Sequence, residues 1–193
     1  MHLSVMKGIK YVLLIAIFGL STAIGLVISK TYENRVTELK EFKNILNIMK
    51  TKIKFTYEPL AEIFKQIANK NETNVERIFG QMANQITYYP TREVWENCIQ
   101  EADISINQED KDVLKKLGKL LGQTDVEGQV SEIEMTENFL NMQIDKAEEE
   151  KKKNQKMYKT LGITIGLIFV IILFWKELYI NFKEIRKGQN YGY

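Results

Sequence analysis

The stretch "LGKLLGQTDVEGQ", residues 117–129, decides how the chain folds. Gly118, Gly122 and Gly128 interrupt a helical apolar pattern. They could serve a phosphate-cradling loop, a close-packing seam or a turn between two helices. A Walker-type phosphate loop follows a strand and ends in Gly-Lys-Ser/Thr, because backbone N–H groups and the lysine must surround the phosphates together. Here Gly122 is followed by Gln123-Thr124-Asp125, no strand pattern precedes it, and the lysine is missing. The spacing instead predicts a helix–turn–helix corner. Gly122 stands just past Leu121, where a helix can end on a residue tolerant of positive φ. Thr124, with Glu127 three residues on, forms a capping-box pattern for the next helix. Gly118, one turn before Gly122, leaves room for a neighbouring helix. Such a corner sits at the tip of a bundle. Gly118, Gly122, Thr124, Asp125, Glu127 and Gln129 are therefore also the candidate surface for docking a partner.

Outward from the corner the pattern is helical on both sides. Toward the N-terminus, Asn107 caps a helix whose face is Val113, Leu114, Leu117 and Leu121, and another helix runs through Val94, Trp95, Cys98 and Ala102. Tyr89-Pro90 separates that helix from one opened by a Thr73/Glu76 capping box, with Val75, Ile78, Phe79, Met82 and Ile86 on one face. Pro59 suits the first turn of a helix that buries Leu60, Ile63, Phe64 and Ile67. Before it, Leu39, Phe42, Leu46, Met49 and Ile53 recur in steps of three and four, the seam of a long helix that packs on another. After the corner, Val126, Val130, Ile133, Leu140, Ile144 and Ala147 repeat that spacing. Glu137 fills one apolar slot there and reads as a register-fixing polar residue. Glu148-Glu149-Glu150 precede Lys151-Lys152-Lys153 at helix-supporting spacing. One helix of about 50 residues can run from Thr124 onward. No period-two stretch is present, so the fold class is all-α.

Two runs carry no charge. Tyr11 to Ser29 and Thr160 to Trp175 are each flanked by lysines. The first is long enough to cross a hydrocarbon core of about 30 Å. The second is shorter, but lysines snorkel, and Tyr158, Trp175 and Tyr179 suit an interfacial belt. A cleaved signal peptide would also use Lys7, Lys10 and the small residues Ser21-Thr22-Ala23, yet the apolar run continues to Ile28. We therefore expect a membrane helix at 8–29, a helical bundle at 30–159, a second membrane helix at 160–176 and a polar tail at 177–193. Gly162 with Gly166, and Ser21 with Gly25, are small-residue pairs one helical turn apart. They suit close packing of membrane helices with each other or with partners.

Composition narrows the chemistry. The net charge is +2, and only four of the 27 basic residues are Arg, which argues against nucleic-acid binding. Cys98 is the sole cysteine and His2 the sole histidine. An intrachain disulfide is excluded, a structural zinc site is disfavoured, and the body of the chain offers no histidine base. Glu134 and Glu137 could form a paired-acid site, but they read as a solvated or partner-facing helix surface, with Glu137 the exception on the seam. Trp95 and Cys98 read as core. The expectation is a non-enzyme with no catalytic residues, no metal, no cofactor and no small-molecule substrate.

Read in order, the chain resembles the stage III sporulation protein AB family of endospore-forming bacteria over nearly its whole length. The resemblance is carried by the basic N-terminal anchor, by "YEPLAEIF" (57–64), by "LGKLLGQTDVEGQ", and by "NQKMYKTLGITIGLIFVIILF" (154–174). The closing "WKELYINFKEIRKGQNYGY" (175–193) extends beyond the family pattern. The resemblance implies a bundle similar to the cytoplasmic domains of the F-family platform protein of type II secretion and type IV pilus machines. It also implies a place in the transenvelope complex between mother cell and forespore. Partners would be a secretion-type ATPase, stage III sporulation protein AA, with other components of that complex and membrane lipid; a homo-oligomer is allowed. The implied location is the mother-cell (outer forespore) membrane.

The positive-inside rule adds an orientation. Near the two apolar runs the central segment carries Lys30, Arg35, Lys40, Lys43, Lys146, Lys151, Lys152, Lys153, Lys156 and Lys159. The tails carry Lys7, Lys10, Lys176, Lys183, Arg186 and Lys187. This balance favours a multi-pass protein with a cytoplasmic central domain. The rival from another class is a membrane-tethered helical signalling or regulatory protein.

Overall fold

The computed structural model of the chain describes residues 2–69 and 72–189. Its helices are α1 (His2–Phe55), α2 (Leu60–Ala68), α3 (Asn74–Gln85), α4 (Thr91–Glu101), α5 (Gln108–Leu117) and α6 (Val126–Gln189). The described residues contain no strand, and the fold is all-α with long apolar stretches near both chain ends. The chain divides into two compact units, residues 31–152 and residues 1–30 with 153–193. The expected bundle boundary at 159 lies inside the second unit, because the Tyr158 carbonyl packs on Gly25. α6 is 64 residues long, more than the 50 expected, and stays helical through the polar tail as far as Gln189. Residues 190–193 of that tail lie outside the described residues.

In the 31–152 unit, Leu39, Phe42, Leu46, Met49 and Ile53 of α1 are buried, as are Ile133, Leu140, Ile144 and Ala147 of α6. Steps of three and four put each set on one stripe, and burying such a side chain stabilises by about 1.5–3 kcal/mol. Glu137 meets Lys50 Nζ at 2.6 Å with both side chains largely shielded. A slipped register would strand that carboxylate, so the pair acts on specificity more than on stability.

The short helices close over this pair. Thr73 Oγ1 accepts the Glu76 N–H at 3.1 Å, and the Glu76 carboxylate accepts the Thr73 N–H at 3.3 Å. Asn107 opens α5 in the same reciprocal way with Asp110. Pro59 stands at the N-cap of α2 and not inside its first turn, and Ala102 is the C-cap of α4. Phe42, Phe64, Phe79 and Trp95 bring four helices into one aromatic cluster with ring centroids 5.6–6.4 Å apart. Trp95 Nε1 donates to the Leu114 carbonyl at 2.8 Å, which satisfies its one polar atom in the core. Cys98 is buried beside it, and burial, then Glu101, pushes its thiol above the ordinary range.

Candidate docking corner and helix-packing site

At the corner, α5 ends earlier than its apolar pattern suggests. Gly118 is the C-cap in right-handed conformation, with φ −58° and ψ −19°. Residues 118–121 continue as tight turns whose N–H groups bond three or four residues back, until Gly122 reverses the chain at φ +70°. Trp95 covers the start of this stretch. A Cβ at Gly118 would lie 2.6 Å from Trp95 Cδ1, so the indole packs directly on that backbone. Gly122 is the residue in left-handed conformation, but it sits at the end of this tightened stretch and not directly on the α-helix.

The expected Thr124/Glu127 capping box does not form. Asp125 caps α6: its Oδ1 accepts the Gly128 N–H at 2.9 Å. The Thr124 hydroxyl turns back to the Leu120 carbonyl at 3.4 Å, and Glu127 is exposed. Gln129 closes the corner. Its Oε1 accepts the Gly122 N–H at 3.0 Å, and its Nε2 donates to the Thr124 carbonyl at 3.0 Å. The six corner residues named from the sequence therefore run from the C-cap of α5 into the first turn of α6, with Gly118 facing the core.

The α1–α2 turn adjoins them. Ile53, Tyr57, Glu58, Pro59, Leu60, Gly122, Val126 and Gln129 line a cleft of about 250 Å³. Tyr57 is exposed and adopts φ +53°, an uncommon conformation for a residue with a Cβ. Glu58 next to it accepts from Lys52 at 3.3 Å and Gln66 at 2.8 Å, which fixes the turn. Phe55 is exposed on the same turn. Sequence reading missed Tyr57 as a surface residue; only "YEP" hinted at a break there.

Away from the corner, Arg35 is buried and forks onto Asp110, with Nε to Oδ2 at 2.8 Å and Nη2 to Oδ1 at 3.0 Å. Its Nη1 reaches Glu150 at 2.6 Å. Burial works against the Arg35 charge, but the hydrogen bonds and charges of Asp110 and Glu150 outweigh it and raise its pKa. Glu38 is also buried. Burial pushes its carboxyl up, and the Ser105 N–H (2.6 Å) and the Asn74 side chain only partly offset this. Each of these groups has its partners, so the cluster is structural. No group of three or more His, Cys, Asp or Glu that could hold a metal occurs among the described residues.

In the second unit α1 and α6 run antiparallel in backbone contact. A Cβ at Gly25 would fall 2.8 Å from the Tyr158 carbonyl and 2.9 Å from Gly162 Cα. Ser21 Oγ donates to the Gly162 carbonyl at 2.8 Å, and Gly166 has the Phe18 ring over it. The small-residue pairs of the two runs thus face each other. Each of α1 and α6 contains a window long and apolar enough to cross a membrane, with only 17% and 11% of its residues buried. The core helix of a soluble protein would be mostly covered.

Comparison with known proteins agrees with this architecture. The model of the family described as stage III sporulation protein AB matches residues 10–174 and stops where the 175–193 extension begins. Stage III sporulation protein AB of Bacillus subtilis (strain 168) is 26% identical over 157 residues, covering 79% of this chain and 92% of that protein. A solved structure of a stage III sporulation protein AB covers 62% of this chain and 98% of its own, with TM-score 0.58 at 21% identity, a likeness of fold.

Proposed function

This chain belongs to the stage III sporulation protein AB family, and from that premise we propose that it is a non-enzymatic platform or adaptor subunit of the channel between mother cell and forespore. The family gives it a role in sporulation; the platform role is our reading. In this reading α1 and α6 cross the membrane, the 31–152 unit stands in the cytoplasm, and the corner presents a docking surface to a secretion-type ATPase, stage III sporulation protein AA. The observation that carries it is a closed helical bundle whose first and last helices both contain an exposed, membrane-length apolar window. The corner supports the docking role, because Tyr57, Phe55 and Glu127 are exposed around a fixed backbone and contribute nothing evident to the core. Strained, exposed residues on a rigid frame are common at contact sites.

The test is co-purification from sporulating cells with the tagged full chain. Wild type is expected to bring down the ATPase, and Tyr57→Ala with Glu127→Lys to lose it while melting within a few °C of wild type. Recovery of kinases or response regulators in place of channel components would favour the signalling rival. Hydrolase activity abolished by one substitution would overturn the non-enzyme reading.

A further inference from the structure

Four lysines stand where the apolar helix pair meets its first charges. Phe18 lies on Gly166, Ser21 on Gly162, and Gly25 on Tyr158 and Gly162, so α1 and α6 are antiparallel there. Lys30 lies five residues past Gly25, about 7.5 Å along the axis. That brings it level with the turns of α6 that carry Lys153, Lys156 and Lys159. All four are exposed, and none makes an ion pair or hydrogen bond through its side chain among the described residues. Residues 11–30 and 153–175 contain no Asp or Glu. Of the acidic run that precedes these lysines on α6, Glu148 is held by Lys40 and Glu150 by Arg35, and Glu149, four residues before Lys153, forms no ion pair with it among the described residues. At the other end of the pair Lys176 is followed by Glu177 and Lys183 by Glu184, while Lys7 and Lys10 have no acidic neighbour in sequence.

We infer that Lys30, Lys153, Lys156 and Lys159 form a collar that binds the phosphate-bearing headgroups of anionic phospholipids, an inference that rests on α1 and α6 spanning the membrane. From Lys159, which abuts the apolar run, to Lys153 is about 9 Å along the helix. The Debye length at physiological ionic strength is about 8 Å, so Lys159 and Lys156 lie within the field of an anionic leaflet and Lys153 stands at its margin. Lysine stems can lie along apolar surface while the ammonium group reaches the headgroups. Each such lysine contributes about fivefold in affinity, or about 1 kcal/mol. A zwitterionic headgroup carries its own ammonium group and gains little from the collar.

The experiment uses the full chain in neutral detergent, with phosphatidylglycerol or phosphatidylcholine titrated in and bound lipid counted by native mass spectrometry. Phosphatidylglycerol is expected to be preferred. Lys153→Gln, Lys156→Gln and Lys159→Gln together should weaken it about hundredfold, since three lysines at about fivefold each are lost. The matching Lys→Arg triple variant should retain the preference, and high salt should erase it. Equal retention of the two lipids, a Gln triple variant that binds like wild type, or inorganic phosphate competing as well as the lipid would overturn the collar. Alkaline carbonate extraction separates the two levels. Release of wild type from membranes sinks the spanning reading itself, whereas a chain that stays embedded and shows no lipid preference sinks only the collar.

Discussion

Arg35→Met should be among the most damaging single substitutions in the 31–152 unit. Arg35 supplies two hydrogen bonds to Asp110, whose side chain is 0% exposed, and one to Glu150, which is 38% exposed. Methionine fills much of the space but leaves the Asp110 carboxylate with the Asn107 N–H (3.0 Å) in place of the fork. Glu150 can turn to water; Asp110 cannot. Removing one partner of a buried ion pair costs about 3–5 kcal/mol, most of it from the stranded charge. For a unit of this size that is a loss of about 10–20 °C in Tm. Asp110→Asn should cost less, about 1.5–3 kcal/mol, because Arg35 keeps Glu150 and a neutral oxygen can still serve Asn107. The double variant leaves neither partner of this pair charged and should be at least about 2 kcal/mol more stable than the sum of the single effects. The assay is thermal and urea unfolding of the full chain in detergent, in a Trp175→Phe background so that fluorescence reports Trp95. Additive effects, or a loss under about 1 kcal/mol for Arg35→Met, would refute the claim that this pair is desolvated.

Other predictions address the corner, a buried carboxyl and topology. Asp125→Ala should lower stability by about 0.5–2 kcal/mol and Asp125→Asn hardly at all, whereas Thr124→Ala should be near neutral; the reverse order in melting would restore Thr124 as the cap. Gly122→Val should cost about 1–2 kcal/mol through its positive φ, and more from contact with Leu60 Cδ1 at 3.2 Å, so an unchanged Tm would contradict the left-handed turn. Because the folded Glu38 carboxyl is raised above its ordinary value, the folded state holds that proton more tightly, and wild type loses stability as pH rises from about 4.5 through the raised value. Glu38→Gln, which can still accept the Ser105 N–H, should therefore gain on wild type between acid and neutral pH. A wild-type advantage that grows with pH would exclude desolvation as the dominant cause. For topology, a single cysteine at exposed Lys116 in a Cys98→Ala background should resist an impermeant maleimide in intact cells and react once the membrane is opened; labelling in intact cells would place the bundle outside.

How much of this was legible depended on the range of the interaction. The stripe from Leu39 to Ile53 and the Thr73 and Asn107 caps depend on neighbours three or four residues away, and the sequence displays them directly. Thr124 and Asp125 mark where local information stops. Each precedes the helix by a plausible step, and each has a residue three positions on whose N–H it could accept. In the structure Gln129 ties the Gly122 N–H to the Thr124 carbonyl, and Asp125 is the residue that accepts from the first turn. The Arg35–Asp110 fork joins residues 75 positions apart, and nothing in either neighbourhood announces it. Gly118 is approached closely by the Trp95 indole, and that partner was unreadable because it depends on how α4 crosses α5.

The two long helices change composition along their length. In the 31–152 unit they meet through large apolar side chains and ion pairs, because water makes burying such side chains favourable and a slipped register costly. In the other unit the same two helices meet through Gly25, Gly162, Ser21 and Gly166, with a hydroxyl donated to a backbone carbonyl. Lipid tails are as apolar as leucine, so helices in lipid gain little from hiding large side chains from their surroundings. Close backbone contact and hydrogen bonding must supply the association. A glycine seam would be a weakness in the bundle, and a leucine seam would give little specificity in lipid. The change of seam chemistry between Gly25 and Leu39 on α1, and between Ala147 and Gly162 on α6, is what a pair of helices passing from one solvent into another would require.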